Sequence, residues 1–200
     1  MIAVVEGVSA AGKTTWCLRH SPALLIPETE LSSTPPDAST DPCGWARFWA
    51  AHNANRWKLA RRTEAAQGTA ICDTDPLKLH YAWSLWQNGV LDSDAWKCSI
   101  VATRGAVERG QLGFADLFLI RSISPEQVRS QRDGDPHRRR RNFEQHLQLM
   151  KPHHAWYEAL SEVLPGRVRW QYPERLPDDV SKLRPDEQLP AFDRLLAQLS

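Results

Sequence analysis

The chain has 200 residues, and its 25 Lys and Arg side chains nearly balance its 24 Asp and Glu side chains, giving a net charge of +1. With 42% hydrophobic and 24% charged residues, the composition is ordinary for a globular domain and excludes a largely disordered chain. The near-neutral balance also argues against a protein that coats DNA, because such proteins carry a large positive excess. We expect a single domain over residues 1–200 that buries a substantial core.

The positive charge is concentrated in residues 129–141, which contain six Arg and two Asp. This segment has a local charge of +4, and the rest of the chain is weakly acidic at −3. The uneven distribution indicates a localised site for an anion.

The four cysteines, Cys17, Cys43, Cys72 and Cys98, are scattered and include no C-x-x-C pair. This spacing argues against a disulfide framework and against a zinc site, so we expect reduced thiols in a cytoplasmic protein. The apolar run at the N-terminus is too short for a signal peptide, and no segment reaches the roughly 20 apolar residues of a membrane span. We therefore expect a soluble protein.

Five short apolar runs predict β-strands, at residues 2–5, 23–26, 69–72, 116–121 and 168–172. Helical patterns lie between and after them, at residues 14–19, 44–67, 76–87, 92–109, 142–164 and 190–199, with a further helix starting at Ser124. Pro152 predicts a kink in the helix that contains it. Residues 29–44 are rich in Pro, Ser and Thr and predict a mobile loop. The alternation of strands and helices predicts an α/β fold whose parallel sheet is covered by helices on both faces.

Residues 7–14 read GVSAAGKT and match the phosphate-loop motif G-x-x-x-x-G-K-[ST], directly after a predicted strand and before a predicted helix. The glycines let the backbone curl so that its N–H groups point at phosphate oxygens, and the helix dipole adds positive potential. Lys13 can reach the β- and γ-phosphates, and the Thr14 hydroxyl can bind Mg²⁺. A chance glycine-rich turn is the alternative. The motif predicts a three-layer P-loop NTPase fold with a five-stranded parallel sheet, and a site for ATP and Mg²⁺ formed by Gly7, Ala10, Ala11, Gly12, Lys13, Thr14 and Thr15.

Acidic side chains follow the second and third predicted strands. Parallel strands place their carboxyl ends at one edge of the sheet, so Asp73 is expected to face the phosphate loop and to organise Mg²⁺ together with Thr14. Asp75 is a second candidate for catalysis, and either aspartate can instead cap the helix that starts at Pro76. Glu28 lies on the same edge, where it can accept a proton from an attacking hydroxyl or remain a solvated loop charge.

The arginine-rich segment follows the fourth strand, and we expect it to form a lid near residues 129–142. Gly134 and Pro136 predict a loop between its arginines. Guanidinium groups that close over a transferring phosphoryl group stabilise its charge and expel water. Arg129 and Arg132 can share one helical face, so they are the candidates for catalysis, although the sequence does not show which arginine acts. An RNA-binding patch is the alternative interpretation.

Together these features resemble the thymidylate kinase and deoxynucleoside kinase group. The resemblance rests on VEGVSAAGKTT at residues 5–15, on DTD at residues 73–75, and on LIRSISPE at residues 119–126 with the arginines that follow. It implies a five-stranded parallel core with a lid, ATP with Mg²⁺, and transfer of phosphate to a small acceptor. It also implies that Glu28 contacts the acceptor hydroxyl and that Asp73 opens the acidic–Arg motif after the third strand.

Thr74 stands where that group has an arginine that helps to hold the acceptor or its phosphate. This departure favours an uncharged alcohol over a nucleoside monophosphate as the acceptor. The DTD sequence is also similar to P-loop kinases of the nicotinamide riboside kinase type and to antibiotic-modifying P-loop kinases. The resemblance therefore implies a nucleoside, a sugar or a hydroxylated natural product as the acceptor.

In the predicted helix 44–67, Trp45, Trp49, His52 and Arg56 recur at the spacing of one helical face. Aromatic walls with a few polar groups are typical of a ligand pocket, so Trp49, His52 and Arg56 are candidates for acceptor binding. Alternatively, the tryptophans pack in the core while His52 and Arg56 emerge at its rim.

Nine tryptophans are many for a chain of this length. Trp83 and Trp86 are expected to lie in the core. His153 and His154 lack metal-ligand spacing and are expected at the surface.

Together the motifs predict an ATP-dependent phosphotransferase that moves the γ-phosphate to a hydroxyl of a small, uncharged acceptor. The alternative is a P-loop NTPase that acts as a switch or an RNA-associated module without such an acceptor, although the chain has no N-K-x-D base motif. Membranes and nucleic acids are disfavoured as partners, and a homodimer is an open alternative to a monomer.

Overall fold

The computed structural model describes residues 1–8, 11–20, 22–28, 31, 33–133 and 147–199. Within them lies a five-stranded, all-parallel sheet in the order β2-β3-β1-β4-β5. Its strands are β1 (Ile2–Gly7), β2 (Leu25–Ile26), β3 (Ala70–Asp73), β4 (Leu117–Arg121) and β5 (Val168–Arg169). Each strand overlaps an apolar run identified in the sequence, because strands covered on both faces are apolar at successive positions.

Seven helices of eight or more residues lie within the described residues: α1 (Lys13–His20), α2 (Pro42–Gln67), α3 (Leu79–Gln87), α4 (Ser93–Glu108), α5 (Pro125–Asp133), α6 (Met150–Val163) and α7 (Pro185–Leu199). The 26-residue α2 begins where the Asp41 side chain accepts a hydrogen bond from the Gly44 N–H, and it ends at Gly68 in the left-handed conformation. No helix in this part of the chain is long and apolar enough to cross a membrane.

Two prolines act differently from the sequence prediction. Pro152 lies in the first turn of α6. Residues 147 and 148 are helical and a turn follows at Leu149, so the helix is interrupted just before the proline and begins again at Met150. Pro190 lies inside α7, which begins five residues earlier than predicted. The first turns of α7 are held by Gln188, whose amide accepts from the Phe114 N–H at 2.7 Å and donates to the Phe114 carbonyl at 3.2 Å. These tertiary contacts offset the hydrogen bond that the proline removes.

The two faces of the sheet pack against different elements. One face, which includes Val4 and Phe118, joins a large core cluster with residues of α2, α3, α4, α6 and α7. The other face, which includes Val5 and Leu119, packs against α1 and against side chains of residues 172–180. Alternating side chains of the same strands therefore supply both cores, as predicted for a sheet covered on both faces.

The carboxyl ends of β1, β3 and β4 lie together at one edge of the sheet. In the register of the sheet Val5 pairs with Asp73, and Gly7 pairs with Arg121. The chain runs from β1 to one side of the sheet and later crosses to β4 on the other side. The strand order thus reverses at β1, and ligands bind at such a position in open parallel sheets.

A disulfide joins Cys43 in the first turn of α2 to Cys98 in α4, with their Cα atoms 5.0 Å apart. The expectation of four reduced thiols is therefore wrong for this pair, whereas Cys17 and Cys72 are unpaired and buried. The 55-residue separation gave no local signal, because the two cysteines approach only where α2 and α4 pack together.

Candidate active site

The phosphate loop connects β1 to α1, and its residues 9 and 10, including the predicted contact Ala10, lie outside the described residues. A side chain at Gly7 would be crowded, because a Cβ there would lie 3.1 Å from both the Ala11 Cβ and the Arg121 carbonyl oxygen. Gly12 has a φ of +84°, which favours glycine. The Lys13 ammonium folds back and donates to the Gly7 carbonyl at 2.6 Å. The lysine thus lies over the concave side of the loop, where phosphates bind.

Thr14 and Asp73 face each other across the sheet edge. The Thr14 hydroxyl donates a hydrogen bond to the Asp73 carboxylate at 2.6 Å, and Asp73 is buried at the end of β3. A hydroxyl and a carboxylate are hard oxygen ligands, the kind that Mg²⁺ prefers. This pair fits a Mg²⁺ ion held between the phosphate loop and β3, whereas Thr15, one residue further along α1, is exposed.

Arg121 is a cation at this edge that the sequence reasoning did not single out. Its guanidinium donates to the Ala11 carbonyl at 3.3 Å and lies 5.9 Å from the centre of the Tyr172 ring. Its position as the last residue of a strand beside β1 is the signal that could have identified it. The side chain places a second positive charge beside the phosphate loop.

Arg56 in α2 is buried and bridges the carboxyl ends of β2 and β3. Its guanidinium donates to the carbonyl oxygens of Pro27 at 3.2 Å, Asp73 at 2.7 Å and Thr74 at 3.2 Å. Only 3% of Arg56 is exposed, so the alternative prediction that this side chain emerges at the rim of the core is wrong. Thr74 has a φ of +69°, in the left-handed region, and the hydrogen bonds of Arg56 to the Asp73 and Thr74 carbonyls stabilise the turn that follows β3.

Glu28 follows β2 and forms an ion pair with Lys78, the residue that precedes α3. Burial acts to raise the pKa of Glu28, but the Lys78 ammonium outweighs it and lowers that pKa below its usual range. Glu28 is thus ionised at neutral pH, and 56% of its side chain is exposed. No pattern in the sequence indicated a functional role for Lys78.

Asp75 lies beneath the sheet edge and is only 1% exposed. Its carboxyl accepts a hydrogen bond from the Leu77 N–H at 2.9 Å and one from the Tyr157 hydroxyl at 3.3 Å. Burial raises the pKa of Asp75 to about 7. The contact with Leu77 lies in the turn before α3, which begins at Leu79 and not at Pro76 and has no side-chain cap, so the capping alternative is wrong for Asp75.

A buried cluster of Glu6, His80 and His153 lies directly behind the phosphate loop. Glu6 accepts from the Gly7 N–H at 2.9 Å and from the Asp75 N–H at 3.0 Å, and it lies 3.5 Å from His80 Nε2 and 3.7 Å from His153 Nε2. Burial acts to raise the pKa of Glu6, but contact with His153 and the charge of Lys13 hold that pKa well below the usual range.

Burial also lowers the pKa of His80 to about 3, so this ring is neutral at physiological pH. The expectation that His153 is a surface residue is wrong, since only 13% of its side chain is exposed; for His154, with 42% exposed, the expectation is confirmed. Sequence spacing could not reveal the cluster, because β1, α3 and α6 each contribute one residue to it.

A cavity of about 560 Å³, which we call the side cavity, opens between the sheet edge and helices α2, α3 and α4. Its walls include the rings of Trp45, Trp49 and Tyr81. Burial, followed by the charge of Arg56, lowers the pKa of His52, so its ring is neutral. The predicted acceptor residues Trp49, His52 and Arg56 all line this cavity, together with Glu28. Their contact with an acceptor stays a prediction.

The structure describes the two tryptophans predicted to lie in the core, but only part of the predicted arginine-rich lid. Trp83 is buried, and Trp86 packs against the same core cluster, as expected. Arg129 lies exposed on α5. The Arg132 side chain and residues 134–142 of the predicted lid lie outside what the structure describes, so the lid stays a prediction.

No family model matches the chain, and no curated relative matches it either. Solved structures of deoxyadenosine kinase from M. mycoides are similar to it over its whole length. One, with bound dATP, has a TM-score of 0.61 at 16% identity and covers 98% of this chain and 100% of that chain. Another, with the product dCMP and a flexible dCDP, has a TM-score of 0.58 at 14% identity and covers 100% of this chain and 98% of that chain. The similarity confirms the predicted P-loop NTPase fold and, at the level of fold, the resemblance to deoxynucleoside kinases.

Proposed function

We propose that this chain is an ATP-dependent kinase that transfers the γ-phosphate to a hydroxyl group of a small, uncharged acceptor held in the side cavity. One observation carries the proposal: the phosphate loop, with its Thr14–Asp73 pair, and the cavity that contains Glu28 open at the same edge of the sheet. A phosphate donor and an alcohol can meet there. The fold shared with deoxyadenosine kinase supports the same reading.

The phosphate loop binds the donor in this proposal. Its backbone N–H groups and the Lys13 ammonium hold the β- and γ-phosphates, and Arg121 adds positive charge beside the loop. Thr14 and Asp73 hold Mg²⁺, which neutralises charge on the phosphate oxygens. Because phosphoryl transfer needs little covalent chemistry from the protein, most of the acceleration comes from positioning and charge stabilisation.

Glu28 is the residue we assign to the acceptor hydroxyl. It lines the side cavity at the sheet edge, is ionised at neutral pH and can accept the proton as the hydroxyl attacks. Lys78 orients the carboxylate by pairing with it. Asp75 is the weaker candidate, because its carboxyl is buried and bonded to Leu77 and Tyr157.

The arginine-rich segment is proposed to close over the transferring phosphoryl group, with Arg129 and Arg132 as its first candidates. Guanidinium groups would there stabilise the charge that spreads over the equatorial oxygens. We also propose a cytoplasmic location, where ATP is available, and a homodimer, which light scattering after size exclusion would test.

The test is a screen for ADP formation with ATP and Mg²⁺ across nucleosides, sugars and hydroxylated antibiotics. Nucleosides are tried first, because solved structures with the same fold include deoxyadenosine kinase. At least one alcohol should stimulate ADP formation, and Lys13→Ala should abolish the stimulation. If no alcohol stimulates the native chain above the Lys13→Ala variant, the kinase proposal is wrong.

A further inference from the structure

We propose that Glu6, His80 and His153 form a binding site for a Zn²⁺ ion directly behind the phosphate loop. One ligand atom from each of the three side chains lies within 4.8 Å of the other two. The zinc site is separate from the Mg²⁺ ion of the proposed reaction, which is assigned to Thr14 and Asp73. The inference goes beyond the kinase proposal and does not depend on it, because it rests on the geometry of this cluster alone.

The spacing of the ligand atoms fits a shared metal ion better than it fits hydrogen bonds. Glu6 Oε2 lies 3.5 Å from His80 Nε2, and Glu6 Oε1 lies 3.7 Å from His153 Nε2. An N–H···O hydrogen bond spans about 2.7–3.2 Å, so both distances are too long for a good one. Ligand atoms about 2.0–2.1 Å from a tetrahedral zinc ion lie about 3.3–3.4 Å from one another. Small shifts of the side chains would therefore bring all three onto one ion.

The ligand atoms also have lone pairs to offer. His153 Nε2 is buried and has no hydrogen-bond partner within the part of the chain that the structure describes. Each Glu6 oxygen accepts one backbone N–H, from Gly7 or from Asp75, and a carboxylate oxygen has a second lone pair. Buried polar atoms nearly always have partners, so an exception such as His153 Nε2 indicates a ligand.

The far side of the His80 ring has the contact that is typical of a metal-bound histidine. Its Nδ1 lies 3.5 Å from the Tyr157 hydroxyl, and that hydroxyl donates to the Asp75 carboxyl at 3.3 Å. The Tyr157 oxygen can therefore accept the Nδ1–H of His80, which leaves Nε2 unprotonated and facing Glu6. Such an outer partner fixes the ring orientation of metal-ligating histidines. Two lone pairs facing each other at 3.5 Å repel unless a cation lies between them.

The chemistry and the burial of the cluster favour zinc among the divalent ions. Imidazole nitrogens suit zinc and other transition metals, whereas Mg²⁺ prefers oxygen ligands. Iron sites with two histidines and one carboxylate keep open positions for oxygen and substrate. Here only 5% of the side chains of Glu6 and His80 and 13% of His153 are exposed. A closed site of this kind is structural rather than catalytic.

The bound ion connects three segments that are distant in the sequence. Glu6 belongs to β1, His80 to α3 and His153 to α6. Because Glu6 also accepts the Gly7 N–H, zinc joins both helices to the start of the phosphate loop. Zinc binding should therefore stabilise the folded chain.

A zinc titration of the full chain tests the site. The chain is freed of metal by dialysis against a chelator, returned to Mg²⁺, and titrated with Zn²⁺ in competition with a zinc indicator dye. It should bind one equivalent of zinc, and its melting temperature should rise as zinc is added, because the ion binds the folded state. His153→Gln should weaken zinc binding at least about 100-fold, since even the loss of an outer partner of a metal ligand commonly costs 10- to 100-fold.

His154→Gln is the matched control, because His154 is the next residue of α6 and 42% of its side chain is exposed. This variant should bind zinc as the native chain does. Equal affinities of the native chain and His153→Gln would locate the ion elsewhere and overturn the proposal. A native chain that binds no zinc would also overturn it, and would indicate that the carboxylate and the two rings share only a proton.

X-ray absorption of the zinc-loaded native chain tests the ligands without any substitution, so the proposal stays falsifiable if His153→Gln does not fold. The spectrum should show two imidazole ligands and carboxylate oxygen at about 2.0–2.2 Å. A sulfur ligand at about 2.3 Å would instead assign the ion to Cys17 or Cys72 and contradict the site. None of these measurements depends on ADP formation, so the zinc site and the kinase proposal can fail independently.

Discussion

Glu6 accepts a hydrogen bond from the backbone N–H of Asp75 at 3.0 Å, although 69 residues separate the two along the chain. The other carboxylate oxygen of Glu6 accepts from the Gly7 N–H. One buried side chain therefore holds both the entry to the phosphate loop and the turn that follows β3. The relative position of Lys13 and Asp73, which the proposed reaction needs, depends on this carboxylate.

Glu6→Gln is expected to destabilise the fold. A glutamine amide presents one oxygen and one NH₂ group, so one of the two backbone N–H groups, of Gly7 or Asp75, loses its acceptor. Leaving such a buried donor unpaired costs about 1–3 kcal/mol of unfolding free energy. Urea titration measures this loss, and Glu158→Gln, which changes an exposed carboxylate, should leave the midpoint in place. Equal midpoints for both variants would contradict the role of Glu6.

Asp75→Asn is expected to change how stability depends on pH. The folded chain keeps this carboxyl protonated up to about pH 7, whereas the unfolded chain releases the proton near pH 4. The folded state therefore binds more protons in this window, so the contribution of Asp75 to stability falls as pH rises. The stability of Asp75→Asn relative to the native chain should thus increase from pH 4.5 to pH 7.5.

The contribution of His80 to stability changes with pH in the opposite direction and rises as pH rises, because its pKa is lowered in the folded chain. His80 is present in both proteins, so its contribution largely cancels in the difference. Unfolding free energies at the two pH values provide the measurement. A difference between the proteins that does not change with pH would show that the Asp75 pKa is not raised.

Asp73→Asn is expected to weaken the binding of Mg²⁺. Asparagine keeps the size and an oxygen near Thr14 but removes the negative charge that attracts the ion. The Mg²⁺ concentration that gives half-maximal ADP formation should rise by about 10- to 100-fold, by analogy with changes around other metal sites. Asp94→Asn, which changes an exposed aspartate in α4, serves as the control and should leave the Mg²⁺ dependence unaltered.

Glu28→Gln is expected to lower kcat by about 10²- to 10⁴-fold, the usual contribution of a general base, with a smaller change in KM. Because the pKa of Glu28 lies below its usual range, activity should persist down to mildly acidic pH and fall only when this carboxylate is protonated. Lys78→Met should move that fall to higher pH. Steady-state kinetics over pH 4.5–8 test both points, and an unchanged kcat in Glu28→Gln would assign the base elsewhere.

Reduction of the Cys43–Cys98 disulfide is expected to destabilise the chain. The bond closes a loop with a sequence separation of 55, and in the chain-entropy model a loop of this size is worth about 4 kcal/mol at 25 °C. Urea unfolding with and without dithiothreitol measures the effect, and a Cys43→Ser/Cys98→Ser double variant should no longer respond to the reductant. Mass spectrometry of the alkylated native chain that found four free thiols would contradict the bond.

The sequence predicted the parts of the fold that have local signals. The strands are continuous apolar runs, and the phosphate loop has a fixed spacing between a strand and a helix, so both were placed correctly. The Thr14–Asp73 contact also followed from the sequence, because parallel strands must end at a common edge. For the side cavity, the helical spacing of Trp49, His52 and Arg56 placed all three on one face.

What the sequence did not reveal depends on contacts between distant segments. Cys43 and Cys98 meet only because α2 packs on α4, and His153 reaches Glu6 only because α6 crosses behind the phosphate loop. Arg56 was expected to point at a ligand or into solvent, but it donates to backbone carbonyls that no side-chain pattern can show. In α7, contacts between Gln188 and the Phe114 backbone outweigh the helix-breaking tendency of Pro190.

Helix α2 runs past the side cavity in one unbroken rod and contributes to both of its ends. Arg56 marks the level of the sheet edge, and Trp45 lies eleven residues earlier, which is roughly 16 Å along the helix axis. Helix α2 is held near the sheet edge by the hydrogen bonds of Arg56 to three backbone carbonyls, and near its first turn by the disulfide of Cys43. It would therefore present a wall of fixed length to a molecule bound in the side cavity. The length of an acceptor would then affect its binding, because a molecule much shorter than this wall cannot contact the residues at both ends of the cavity.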